Sequence, residues 1–145
     1  MSELTYVQYA EDVLNGDIVT SKYVRLACER FAEDQDHEQY YFDPDTAEKY
    51  IAFFSRFLKH SKGSFAGKSF DLLPWQQFVI ANIYGWLDRD THMRRYRTAY
   101  IQVGRKNGKS TMLSGVSLAM LDFDGEEGSE VYFCATKRDQ ARICF

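Results

Sequence analysis

No apolar run in the 145 residues approaches the roughly 18 that a membrane-spanning helix needs. The opening residues, MSELTYVQYAED, also lack the basic start and apolar stretch of a secretion signal. The chain is therefore expected to be soluble and intracellular. Cysteine is scarce, and Cys28, Cys134 and Cys144 form an odd set without metal-ligand spacing. That argues against a disulfide framework and a zinc site, and assigns the three thiols to packing. There are 2 prolines, each placed where a helix would begin. Internal repeats and low-complexity tracts are absent, and a hydrophobic fraction of 45% argues against disorder and for one domain's worth of globular chain.

The net charge of −3 conceals an asymmetry. Residues 1–48 hold twelve acids and three bases, and residues 49–145 hold nine acids and fifteen bases, so the parts carry −9 and +6. A basic half suits a polyanionic partner, and it equally suits a solvated mixed surface.

Residues 21–32 place Val24, Ala27, Cys28 and Phe31 at helical spacing behind Ser21 as N-cap. In FDPDTAEKYIAFFSRFLKH, Asp43 is the N-cap and Pro44 the first helical residue, with Ala47, Tyr50, Ile51, Phe54, Phe57 and Leu58 along one face. After a loop, KGSFAGKSF, a second proline-started helix puts Trp75, Phe78, Val79, Asn82, Ile83 and Trp86 on a buried face. A basic connection over 88–97 leads to TAYIQV, residues 98–103, which reads as a buried parallel strand. GRKNGKS is then a loop, STMLSGVSLAMLDF a helix of small and apolar residues, and VYFCA a second short strand. Strand, loop, helix and strand make a βαβ unit, with the glycine loop at the carboxyl end of its first strand.

That loop is the chemical centre of the sequence. Backbone N–H groups at a strand-to-helix junction converge on one concavity, and the helix N-terminus adds partial positive charge, so the arrangement suits phosphate. Gly108 would let the backbone approach, Lys109 would reach the β- and γ-phosphates, and Ser110, or alternatively Thr111, would ligate Mg²⁺. The plain alternative is that NGKST is a turn followed by a helix cap. The spacing itself is unusual, because the glycine expected five positions before Gly108 is Val103, and Gly104 stands one place closer. Gly104 can still serve the exit from the strand, which leaves Arg105, Lys106 and Asn107 within the loop. A guanidinium at Arg105 could stabilise charge on a transferred phosphate, an effect worth roughly 10³-fold or more in rate, or it could be a solvated charge.

VGRKNGKST after a hydrophobic strand, with LLPWQ upstream and ATKRDQA downstream, resembles the ATPase domain of tailed-phage terminase large subunits over residues 40–145. That family has a deviant Walker A loop with an arginine three residues before its Gly-Lys-Ser/Thr, so the odd spacing matches the family pattern. The resemblance implies a P-loop NTPase core of the helicase-like or terminase class over 41–145, preceded by an acidic helical segment over 1–40. ATP and Mg²⁺ are the implied cofactors, with Arg105 and Lys109 as catalytic residues. Gly104, Arg105, Lys106, Asn107, Gly108, Lys109, Ser110 and Thr111 would form the nucleotide loop, with Ser110 on the metal. Gln76 falls where the family carries a glutamine that reads adenine, and Gln77 is the alternative; both also suit a polar helix face. Trp75 could stack on the base or pack in the core. Thr136, Lys137 and Arg138 of ATKRDQA fall where related motors approach DNA, although such residues also begin ordinary helices.

As implied by the resemblance, the partners are double-stranded DNA, a small terminase subunit and a portal protein, with a ring of copies in the full-length motor. The setting is the cytoplasm of a bacterial host, with no membrane. The resemblance also implies an acidic pair for Mg²⁺ and for the attacking water, and neither is found: Glu126 and Glu127 lie in a glycine-flanked turn, and Asp122 and Asp124 fare no better. The paired acids of the family's nuclease domain are absent as well. The chain is thus expected to be an N-terminal piece, with its sheet incomplete, or the product of a truncated prophage gene. Rival readings are a nucleotide- or DNA-binding module without turnover and another helicase-like ATPase. A small-molecule kinase is disfavoured by the hundred or so residues that precede the loop.

Overall fold

The computed structural model describes residues 4–59, 66–105, 107–123, 128, 130–136 and 141. The chain divides into two compact units, Met1–Ala99 and Tyr100–Phe145.

The first unit is built on helices α1 (Thr5–Asn15), α2 (Lys22–Glu33), α3 (Pro44–Phe57) and α4 (Pro74–Gly85). Ser21 caps α2 by accepting from the Val24 N–H at 3.5 Å, as its position predicts. Asp43 caps α3, its carboxylate accepting from the Asp45 N–H at 3.2 Å and from the Thr46 hydroxyl at 2.5 Å, with Pro44 in the first turn. Strands β1 (Tyr40–Phe42) and β2 (Trp86–Asp88) pair antiparallel, Phe42 opposite Trp86, and bring the entry to α3 against the exit from α4.

The core joins Tyr6, Ala10 and Val13 of α1 to Cys28 and Phe31 of α2, Ala47 of α3, Phe78 and Ala81 of α4, and Trp86. Aromatic rings dominate it. Phe31 meets Phe42 edge-on at 5.1 Å, Phe42 meets Trp86 at 5.4 Å, and Tyr50 stacks on Tyr84 at 3.8 Å. A Cβ on Gly85 would lie 2.5 Å from the Phe42 ring, so the close approach of strand to helix requires glycine there. Burial pushes the Cys28 thiol up to about 11 and the Tyr6 hydroxyl up to about 12.

The predicted buried face of α4 is only partly right. Phe78 and Trp86 are buried, but Trp75, Val79, Asn82 and Ile83 are half-buried, and Gln76, Ile80, Ala81 and Tyr84 are buried instead. Because α4 packs against both α1 and α3, its buried residues do not form a single stripe. On α3, Ala47, Tyr50 and Phe54 are buried as expected, while Phe53 takes the place of Phe57, which is 68% exposed. The 88–97 connection is anchored: Arg95 pairs with Asp34 at 2.7 Å and lies 4.6 Å over the Tyr40 ring and 5.4 Å over Trp86.

The second unit holds helix α5 (Lys109–Phe123), with Met112, Gly115 and Ala119 buried. Here the predicted βαβ unit is not formed among the described residues. Residues 98–103 and 131–135 belong to no ladder, and Tyr100 and Tyr132 are 88% and 79% exposed. A parallel strand buried on both faces needs a hydrogen-bonded neighbour and cover on each side, and the described residues of this unit supply one helix. The architecture described is therefore mixed α/β, with five α-helices and a two-stranded antiparallel sheet. No helix among the described residues is long and apolar enough to cross a membrane.

Candidate functional site

The loop predicted to carry the chemistry does run into a helix. Gly108 has φ 72, a left-handed conformation that a side chain rarely adopts, and α5 begins at the next residue, Lys109. The turn is locked from both sides: the Met112 N–H donates to the Gly108 carbonyl at 2.9 Å, and the Asn107 amide donates to the carbonyls of Gly104 at 3.3 Å and Arg105 at 3.4 Å. In a helix starting here, the N–H groups of Lys109, Ser110 and Thr111 have no carbonyl four residues back within the helix, so they remain donors at its positive end.

Lys109 does not extend into solvent. Its ammonium folds back along the loop and donates to the Val103 carbonyl at 2.7 Å and the Gly104 carbonyl at 3.3 Å. The cation is thus held over the loop that its own backbone forms, at a site where an anion can exchange with neutral carbonyls. Arg105 is exposed at the bend, and Ser110 and Thr111 are exposed on the first turn. The Ser110 carbonyl accepts from the Ser114 hydroxyl at 2.9 Å. Gly104, Arg105, Asn107, Gly108, Lys109, Ser110 and Thr111 are therefore contiguous around one helix N-terminus; Lys106 lies outside the described residues. The brace made by Asn107 is a function that the spacing alone did not identify.

Gln76 is buried, only 3% exposed, and lies in the first unit. Its side-chain oxygen accepts from the Leu73 N–H at 2.9 Å, which caps the start of α4. Gln77 donates to the Leu72 carbonyl at 2.9 Å, and Trp75 is half-buried. Thr136 is exposed; Lys137 and Arg138 lie outside the described residues. Of the acids weighed as partners for a metal, Asp122 is exposed on α5, while Asp124, Glu126 and Glu127 lie outside the described residues. Glu130 accepts a hydrogen bond from the exposed Tyr132 hydroxyl, which raises that hydroxyl above its ordinary range. Of the three cysteines assigned to packing, Cys28 is buried, Cys134 is exposed, and Cys144 lies outside the described residues.

No curated protein and no solved structure matches the chain. The family model for the terminase large subunit, ATPase domain, matches residues 74–145, from the first residue of α4 through the loop and α5 to the last residue. That span is shorter than the 40–145 over which the sequence motifs are spread, and it contains both Gln76 and the whole of the Gly104–Thr111 loop. Over residues 74–145, about half its length, the chain belongs to the terminase large subunit ATPase-domain family.

Proposed function

We propose that the Gly104–Thr111 loop binds the phosphates of Mg·ATP, and that the chain serves an ATPase motor of the terminase type that drives double-stranded viral DNA into a procapsid. The observation carrying this reading is the loop geometry: a left-handed Gly108, a helix starting at Lys109, and a lysine ammonium held over the loop. These residues fit a polyphosphate. The donors are backbone N–H groups and one primary ammonium, and they converge where the helix supplies partial positive charge. Lys109 would exchange its two carbonyl acceptors for β- and γ-phosphate oxygens, and Ser110 would present its hydroxyl to the metal. Bound Mg²⁺ supplies charge neutralisation across the phosphates. Arg105, exposed at the bend, is the residue we assign to charge that develops during transfer.

Gln76 is the proposed adenine reader, with one condition set by its contact. Its oxygen already accepts from the Leu73 N–H, so reading the base requires its second lone pair and its amide N–H. The proposed partners remain duplex DNA, a small terminase subunit and a portal protein, with Lys137 and Arg138 as candidate phosphate contacts.

Competition with adenine nucleotides tests the reading. A loop that holds the β-phosphate should bind ATP and ADP and bind AMP at least tenfold more weakly, a difference of about 1.4 kcal/mol. Equal affinity for AMP would contradict it. Phosphate release followed on the same samples separates a turning-over site from one that binds only.

A further inference from the structure

A recess lies in the first unit, where α1 and the turn after it approach Pro74. Its volume is about 260 Å³, and Thr5, Gln8, Tyr9, Asp12, Ile18 and Pro74 line it. That is below the roughly 300–1,000 Å³ of small-molecule sites and suits a single side chain.

The only formal charge among the lining residues is the Asp12 carboxylate. One of its oxygens accepts from the Gln8 amide at 2.8 Å. Among the described residues, its other oxygen and the Gln8 carbonyl oxygen are unengaged, so both retain acceptor capacity. Tyr9, set 5.6 Å from Phe78, contributes an aromatic ring, and Ile18 and Pro74 contribute apolar walls. A recess with a carboxylate, an aromatic ring and spare acceptors favours a cation.

The unit that holds the recess, residues 1–99, carries fifteen acids and twelve bases. Residues 1–48 carry twelve acids and three bases, and two of those bases are already engaged. Arg25 pairs with Glu29 at 3.0 Å and donates to the Val13 and Leu14 carbonyls, and Arg30 lies 5.2 Å over the Tyr96 ring. Next to Ile18, Val19 is 95% exposed, and Tyr23 stands exposed on the first turn of α2. Val19, adjacent to the lining residue Ile18, would meet a residue flanking an inserted cation.

We infer that this recess is a docking site for an arginine side chain carried by a basic segment of a partner protein. A guanidinium offers a planar fork to adjacent oxygens and stacks on an aromatic face, which a compact ammonium does neither as well. The recess shares no residue with the Gly104–Thr111 loop, so it stands or falls independently of nucleotide binding.

The test is an NMR titration of the 145-residue chain with N-acetyl-arginine amide, read at the Gln8 side-chain amide and the Asp12 N–H. The lysine and citrulline analogues serve as comparators, the latter being an uncharged isostere. The expected result is a saturable shift with an affinity on the order of millimolar, no saturable shift with citrulline, and weaker binding of lysine. Asp12→Asn, which can still accept from Gln8, should weaken arginine binding at least tenfold, and Lys109→Ala should leave it unchanged. Equal response to citrulline or lysine, unchanged affinity in Asp12→Asn, or no saturable shift would overturn the assignment.

Discussion

At the scale of single residues, the account rests on side chains whose contacts separate two roles. Gln76 is the sharpest case, because it caps α4 through its oxygen and is proposed to read adenine through its amide. Gln76→Glu keeps an oxygen for the Leu73 N–H and removes the donor. If Gln76 reads the base, this variant should lose preference for ATP over GTP, and thermal unfolding of the same samples separates that loss from the cost of a buried carboxylate. An unchanged preference would leave Gln76 as a cap alone. Asn107 gives a second prediction. Its amide ties the Gly104 and Arg105 carbonyls, so Asn107→Asp, which turns a carboxylate toward those carbonyls and the phosphates, should weaken ATP binding more than Asn107→Ala. Titration calorimetry of the two variants checks the order, and affinity unchanged in both would mean that the brace is unimportant. Gly85 supplies a stability prediction. A methyl there would sit 2.5 Å from a Phe42 ring that is itself packed by Phe31 and Trp86, so Gly85→Ala should cost about 1–3 kcal/mol in urea unfolding.

Among the elements, α3 carries the clearest cap. Asp43 satisfies the Asp45 N–H and the Thr46 hydroxyl, and Asp43→Ala should destabilise the first unit by about 1 kcal/mol, measured as a shift in the urea midpoint at constant slope. Such caps are local chemistry, which is why Ser21, Asp43 and Pro44 could be placed from the sequence. The turn into α5 was legible for the same reason, since Gly108 and Lys109 act within a few residues of one another. Features that depend on distant partners were not. Helix α1 falls within the helical segment expected over 1–40, but with no capping side chain at Leu4 its bounds carry no local signal, and Tyr6, Ala10 and Val13 anchor it in the core. The β1–β2 pairing joins residues more than forty positions apart, and no turn signal links them. TAYIQV and VYFCA have strand composition, yet composition cannot supply the neighbours that a ladder needs.

For the whole molecule, the two units offer different readouts. Cys28 is fully buried in the first unit with its thiol pushed up to about 11, whereas Cys134 in the second is exposed. Alkylation at pH 8 should therefore modify Cys134 rapidly and Cys28 only as the first unit opens, with the sites assigned by mass spectrometry. Equal rates would contradict the packing described for α1, α2 and α4. The charge division is −9 before residue 49 and +6 after it, and the acidic part of the sequence suits a basic partner. The central claim, that Gly104–Thr111 is a working phosphate loop, is tested most directly by calorimetric titration of Mg·ATP into the chain and into Lys109→Ala. The account predicts saturable binding that the substitution abolishes and that Arg105→Ala preserves; ATP affinity retained in Lys109→Ala, or absent from the unaltered chain, would contradict it.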